Sequence, residues 1–170
     1  MKILNLGCGN DTYGTDRVDL YATPQTTLVM NIDKDKLPYP DNYFDEIKMA
    51  QILEHLRNIG FVVDECYRVL KPMGRLWLRT DNAHYIFWYI NREHNEVLSW
   101  CYSNNDFKHN QNEDAHYHLF VKSHLEKLFK NFSKTNVSYY WGGRNFFVYL
   151  FKRMLPFKMG ASQIDIEAWK

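Results

Sequence analysis

A layered α/β domain is predicted by three features of the sequence. Short apolar runs at "KILNL", "RVDLY", "TLVMN", "FDEIKMA" and "RLWLRT" follow one another through the first half of the chain, as central strands covered on both faces do. Between the fourth and fifth runs, residues 58–70 set Ile59, Val62, Val63, Cys66, Tyr67 and Leu70 on one helical face, which makes a strand–helix–strand unit. The first run stops at Gly7-Cys8-Gly9, and a glycine turn after the first strand of a doubly wound sheet lies at its ligand-binding edge.

Each element follows from its own residues. Only about ten residues separate the first two strands, whereas a parallel crossover takes a dozen or more, so any helix there is very short or replaced by a loop. "KPMG" ends the helix of residues 58–70. A second helix starts at "SHLE", where Ser123 and Glu126 have capping-box spacing, with Leu125, Leu128, Phe129 and Phe132 as its buried stripe. Two further strands, near 134–141 and 145–151, are joined by "GGRN", a hairpin-like turn. With no repeat or low-complexity linker, residues 1–170 form one domain, in which 81–118 are a substrate-binding or lid insert and 153–170 a C-terminal tail. In that tail Ile164, Ile166 and Trp169 pack either on the same chain or across a homodimer.

Bulk composition narrows the class. A chain of 170 residues that is 45% hydrophobic and 24% charged can bury a substantial core. Its net charge of +1 lacks the basic footprint of a nucleic-acid wrapper, so no DNA partner is expected. No apolar stretch approaches bilayer length and "MKILNLG" lacks a signal-peptide layout, so neither a membrane nor export is expected. Three widely spaced cysteines, Cys8, Cys66 and Cys101, fit free thiols in a reducing cytoplasm.

Glycines allow unusual backbone angles and close approach of a ligand, although glycine turns after strands also occur for purely structural reasons. Asp19 ends the second strand, where an acid can accept both ribose hydroxyls of a nucleoside, and Asp33 follows the third. Either acid alone reads equally as a loop or capping carboxylate. Two glycines and two acids at successive strand ends form a pattern.

In "LNLGCGN", "RVDLY", "NIDKDKLPYPDNYFDEI", "ILEHL" and "VLKPMGRLWLRT" the sequence resembles the class I S-adenosylmethionine-dependent methyltransferases, especially the small branch that begins near the first strand. The resemblance covers roughly residues 2–82. It implies a three-layer Rossmann-like sheet of seven strands with the last antiparallel, and S-adenosylmethionine as cofactor. By this resemblance Gly7, Cys8 and Gly9 line the methionine part, Asp19 holds the ribose, its neighbour Leu20 is a further cofactor-binding candidate, and Asp33 accepts from the adenine amino group. Ile32 and Leu37 would flank the adenine ring, and Met49 to Gln51 would pass the methionine and sulfonium. Two departures stand out: Asn5 replaces a frequent acid, and "NDTYG" lacks a third glycine of the motif.

The sulfonium methyl is already electrophilic, so such a protein mainly aligns a nucleophile and excludes water. His55, which the family places beside the reaction centre, is a candidate base or acceptor-orienting residue; a structural histidine is the competing reading. His84 and Asp81, past the fifth strand, are candidates for contacting the acceptor. Tyr85, Phe87, Trp88 and Tyr89 suit a sugar, a ring or a protein partner, or else cover the sheet edge. His116 and His118 have the spacing of a metal pair on an extended segment, but no third ligand is tied to them, and no metal is expected.

The expected activity is methyl transfer to an oxygen or nitrogen of a small molecule or glycan. The Asn/Asp-Pro-Pro-aromatic motif of amino-methylating DNA enzymes and the Pro-Cys of cytosine-C5 enzymes are absent. Two alternatives stand beside it: a nicotinamide-dependent oxidoreductase, and a non-catalytic binding or assembly module of the same fold.

Overall fold

The computed structural model describes residues 1–85, 116–141 and 156–170. The expected strand near 145–151, its "GGRN" turn and most of the 81–118 insert lie outside the described residues. In chain order the elements are β1 (Ile3–Leu6), β2 (Asp16–Asp19), β3 (Leu28–Val29), β4 (Phe44–Ala50), a 3₁₀ turn (Leu53–His55), α1 (Ile59–Val69), β5 (Leu70–Asp81), α2 (Lys122–Leu128), β6 (Lys134–Tyr140), α3 (Phe157–Gly160) and β7 (Gln163–Trp169). The seven strands form one sheet in the order β3-β2-β1-β4-β5-β7-β6. β1 to β5 pair in parallel, and β7 runs antiparallel to both β5 and β6. This is the expected seven-stranded α/β sheet with an antiparallel last strand.

The last strand comes from an unexpected place. Residues 163–169, read from sequence as part of a tail, insert between β5 and β6. Ile164, Ile166 and Ala168 alternate into the core while Gln163, Asp165 and Glu167 stay half-buried, the period-2 pattern of a strand. Arg79 clamps this strand through two bonds to Asp165, at 2.6 and 2.7 Å.

The sequence order reverses on either side of β1, which has β2 on one flank and β4 on the other. The β1–β2 connection, residues 7–15, contains no helix. The loop is instead pinned from beneath. Asn5, only 1% exposed, donates from Nδ2 to Asp11 Oδ2 and to the Tyr13 carbonyl, both at 3.1 Å. Lys48 Nζ meets the same Asp11 oxygen at 2.5 Å and holds that carboxyl below its usual range.

Helix α1 buries Val62, Val63, Cys66 and Val69 against the sheet, as its periodicity predicts. Complete burial pushes the Cys66 thiol up to about 12, so it behaves as a core residue rather than a nucleophile. α2 buries Leu125 and is followed by buried Phe129 and Phe132. The expected capping box does not form: the N-cap is Val121, without a side-chain bond, and Ser123 lies inside the first turn.

Arg68 ties α1 to the loop before β4. It donates to the Leu37 and Tyr39 carbonyls at 3.0 and 2.8 Å, to Asp41 at 2.9 Å, and twice to Glu65 at 2.8 Å. Glu65, itself buried, also accepts from Leu37 N–H at 2.9 Å. Removing Arg68 strands that carboxylate, so Arg68→Ala is expected to cost about 2–4 kcal/mol in urea unfolding at neutral pH. The Arg68 hydrogen bond leads in holding the Glu65 carboxyl below its ordinary 4.5. The stability it contributes is therefore present above about pH 4.5 and is lost as pH falls through the depressed native value. The Arg68→Ala chain should show a flatter acid limb than the wild type.

Candidate active site

The carboxyl ends of β1, β2 and β4 open onto one cavity of about 530 Å³, within the range of roughly 300–1,000 Å³ usual for small-molecule sites. Gly7 and Gly9 reach it from the loop after β1, Asp19 and Leu20 from β2, Ile32 and Asp33 from the turn after β3, and Gln51 and His55 from the turn after β4.

The two glycines differ. Gly7 has φ +66°, and a Cβ there would lie 2.8 Å from Ile52 Cγ1. Gly9 has φ +51°, and a Cβ there would meet no atom within 4 Å. The first is bare partly because the chain itself packs over it; the second faces open space. The loop is held by Gly7 and Cys8 N–H groups on the Val18 carbonyl, at 2.9 and 3.2 Å, and by Thr23 Oγ1 on the Gly9 carbonyl at 2.7 Å.

Asp19 is the fixed point of this loop. Its Oδ2 accepts from Gly9 N–H at 2.8 Å and its Oδ1 from Tyr21 N–H at 3.0 Å. A carboxylate has about four lone-pair sites, so further donors can still be accepted. Asp33 accepts from Asn58 N–H through Oδ1 at 2.6 Å, and its carbonyl from Asn58 Nδ2 at 2.9 Å, which anchors the start of α1 at the cavity wall.

Three expected site residues turn away. Asn5 lies under the loop, bonded as described. Cys8 is buried, with Sγ 3.8 Å from Thr26 Oγ1, and burial raises its thiol. Leu37 is buried in the core. None of the three lines the cavity. Adjacent side chains on strand-like segments point to opposite sides, and sequence spacing alone did not assign these sides. His84 also stays outside: it is exposed, and its N–H caps Asn82 Oδ1 at 3.1 Å.

Past β4 the chain is strained and polar. Gln51 has φ +53°, a left-handed conformation uncommon for a side-chain-bearing residue. Its N–H donates to the Arg79 carbonyl at 2.8 Å and its Nε2 to Asp81 Oδ1 at 3.0 Å. Glu54 is 0% exposed and accepts from Thr80 Oγ1 at 2.8 Å. Burial lifts its carboxyl to about 7, helped by the Asp81 charge and opposed by its hydrogen bonds. Residues 116–118 dock here, because Tyr117 and His118 N–H groups donate to the Glu54 carbonyl at 2.8 and 3.2 Å. The His55 and His116 rings meet edge-on with centroids 4.5 Å apart. Arg57 donates to Tyr117 Oη at 2.9 Å and stacks 4.5 Å from its ring; both line the cavity.

Glu54, Arg57 and Tyr117 were missed as site residues. "ILEHL" did place an acid within a mostly apolar stretch, the one available signal for Glu54. The docking of Tyr117 is a long-range contact with no local signal.

A family model described as "Methyltransferase domain" matches residues 11–78. Sterol 24-C-methyltransferase erg-4 of Neurospora crassa is 32% identical over 111 residues, covering 48% of this chain and 29% of that protein. Ubiquinone/menaquinone biosynthesis C-methyltransferase UbiE of Neisseria meningitidis is 46% identical over 65 residues, covering 38% of this chain and 26% of that protein. The chain thus spans less than a third of the length of these curated relatives. Among solved structures, a SAM-dependent methyltransferase from Archaeoglobus fulgidus superposes with TM-score 0.67 at 14% identity, over 99% of this chain and 86% of that one. Phosphoethanolamine N-methyltransferase 2 of Haemonchus contortus, in complex with S-adenosyl-L-methionine, gives TM-score 0.65 at 14% identity, over 100% of this chain and 49% of that one. By its fold, and over residues 11–78 by the family model, the chain is similar to S-adenosylmethionine-dependent methyltransferases.

Proposed function

We propose that this chain binds S-adenosylmethionine in the 530 Å³ cavity and transfers its methyl group to an oxygen or nitrogen atom of a small molecule or glycan. The observation that carries the reading is the convergence of Gly9, Asp19 and Asp33, from three successive strand ends, on that one cavity. Gly9 offers a bare main chain, Asp19 the remaining lone pairs for ribose hydroxyls, Ile32 an apolar wall, and Asp33 an acceptor at the far end. These groups fit a nucleoside with an amino-acid tail. When bound, the cofactor supplies an electrophilic methyl on sulfur. The protein then has to hold the acceptor in line and keep water out, and His55 stands at the cavity rim to orient it or take its proton.

The test is incubation with methyl-labelled cofactor and a panel of hydroxyl- and amine-bearing small molecules and glycans. Label is expected in at least one such product. Cofactor binding without transfer to any acceptor would favour the non-catalytic binding module. A carbon acceptor is the second reading, favoured by the curated relatives named as C-methyltransferases. Label on carbon alone would select it.

A further inference from the structure

We propose that Glu54, His55 and His116 form a binding site for a first-row divalent transition metal ion at the rim of the cavity. A carboxylate oxygen of Glu54 and one ring nitrogen of each histidine lie within 4.8 Å of one another. Tetrahedral ligands 2.0–2.2 Å from a metal stand roughly 3.4 Å apart, so modest side-chain rotation closes the triad. The pairing differs from the His116–His118 pair suggested by sequence: the second imidazole comes from the turn after β4, and His118 is not in the cluster.

Independent of that proximity, the site contains polar atoms with nothing to satisfy them. Glu54 is fully buried, and its Oε1 has no hydrogen-bond donor among the described residues. The neighbouring Gln51 Oε1 is also buried without a donor. A buried carboxylate oxygen left without a donor is costly unless a cation or donor reaches it. No lysine or arginine pairs with Glu54 among the described residues.

The surroundings also suit a metal. Asp81 Oδ2 lies 3.5 Å from His116 Nδ1, too far to hydrogen-bond the ring but close enough for its negative charge to favour a cation beside it. Asp81 is itself held by Gln51 Nε2 at 3.0 Å. Two imidazoles and one carboxylate select zinc, cobalt, iron or manganese over magnesium or calcium, which favour all-oxygen sites. The set supplies three ligands and leaves further positions for an outside group, and His55 also lines the cavity. Within the methyl-transfer reading, on which this use rests, the ion would hold an acceptor through oxygen and His55 would act as its ligand rather than as a base.

The experiment uses the full chain, stripped with chelator and free of S-adenosylmethionine, so its outcome does not depend on that cofactor binding. Equilibrium dialysis with Zn²⁺ and visible spectroscopy with Co²⁺ are the readouts. One equivalent per chain is expected, with ligand-field bands of Co²⁺ bound by nitrogen and oxygen. His116→Ala and Glu54→Gln should each weaken binding at least about 30-fold. His124→Ala, on the exposed side of α2, should bind as the wild type does. Should either site variant fail to fold, the wild-type Co²⁺ spectrum decides, since an octahedral aqua-like spectrum contradicts the site. Binding well below one equivalent, or equal losses in His116→Ala and His124→Ala, overturns the proposal.

Discussion

Replacing Asp19 by alanine is expected to weaken S-adenosylmethionine binding at least about 100-fold. In the proposed complex the carboxylate accepts two ribose hydroxyls, and hydrogen bonds to a charged acceptor contribute about 1.5–3 kcal/mol each. The same side chain holds the Gly9 and Tyr21 N–H groups, so its loss also frees the loop that the ligand lies against. Asp19→Asn keeps one carbonyl acceptor and should fall between the two. Calorimetric titration measures the affinities, and circular dichroism with thermal melting checks that the sheet persists. An alanine variant that binds within threefold of the wild type would remove Asp19 from the site.

The two glycines of the loop should respond in opposite ways. Gly7→Ala meets a left-handed φ and a Cβ 2.8 Å from Ile52, so a loss of about 2–4 kcal/mol of folding stability is expected in urea. Gly9→Ala also has a left-handed φ but free space around the new methyl, so its stability loss should stay near 1 kcal/mol. Its effect falls on the ligand instead, with S-adenosylmethionine binding weakened more than about tenfold because a methyl now stands where the cofactor's chain would lie. A Gly9→Ala chain that binds as well as the wild type would mean that nothing approaches the main chain there.

Local pattern carried most of the sheet. "KILNL", "FDEIKMA" and "RLWLRT" became β1, β4 and β5 because buried parallel strands are apolar along their length, and α1 kept its predicted face. "QIDIEAW" alternates as a strand does, but its partners β5 and β6 lie far off in sequence, so nothing local shows it entering the sheet. Ser123 failed as a cap for a local reason: the helix begins one residue before it. At the site, the glycines, Asp19, Asp33 and Gln51 reached the cavity because strand ends fix where loops start. Asn5, Cys8 and Leu37 did not, because which side a residue faces depends on how its loop turns. The Glu54–His55–His116 cluster joins segments about sixty residues apart, and only folding brings them together.

The most direct measurement is a calorimetric titration of the wild-type chain with S-adenosylmethionine and, in parallel, with a nicotinamide dinucleotide. Saturable one-to-one heat with the first and none with the second is the expected result, since the cavity is ringed by a bare glycine and two strand-end carboxylates but lacks a third glycine for a pyrophosphate. No heat with S-adenosylmethionine at millimolar concentration, or equal affinity for the dinucleotide, would contradict it.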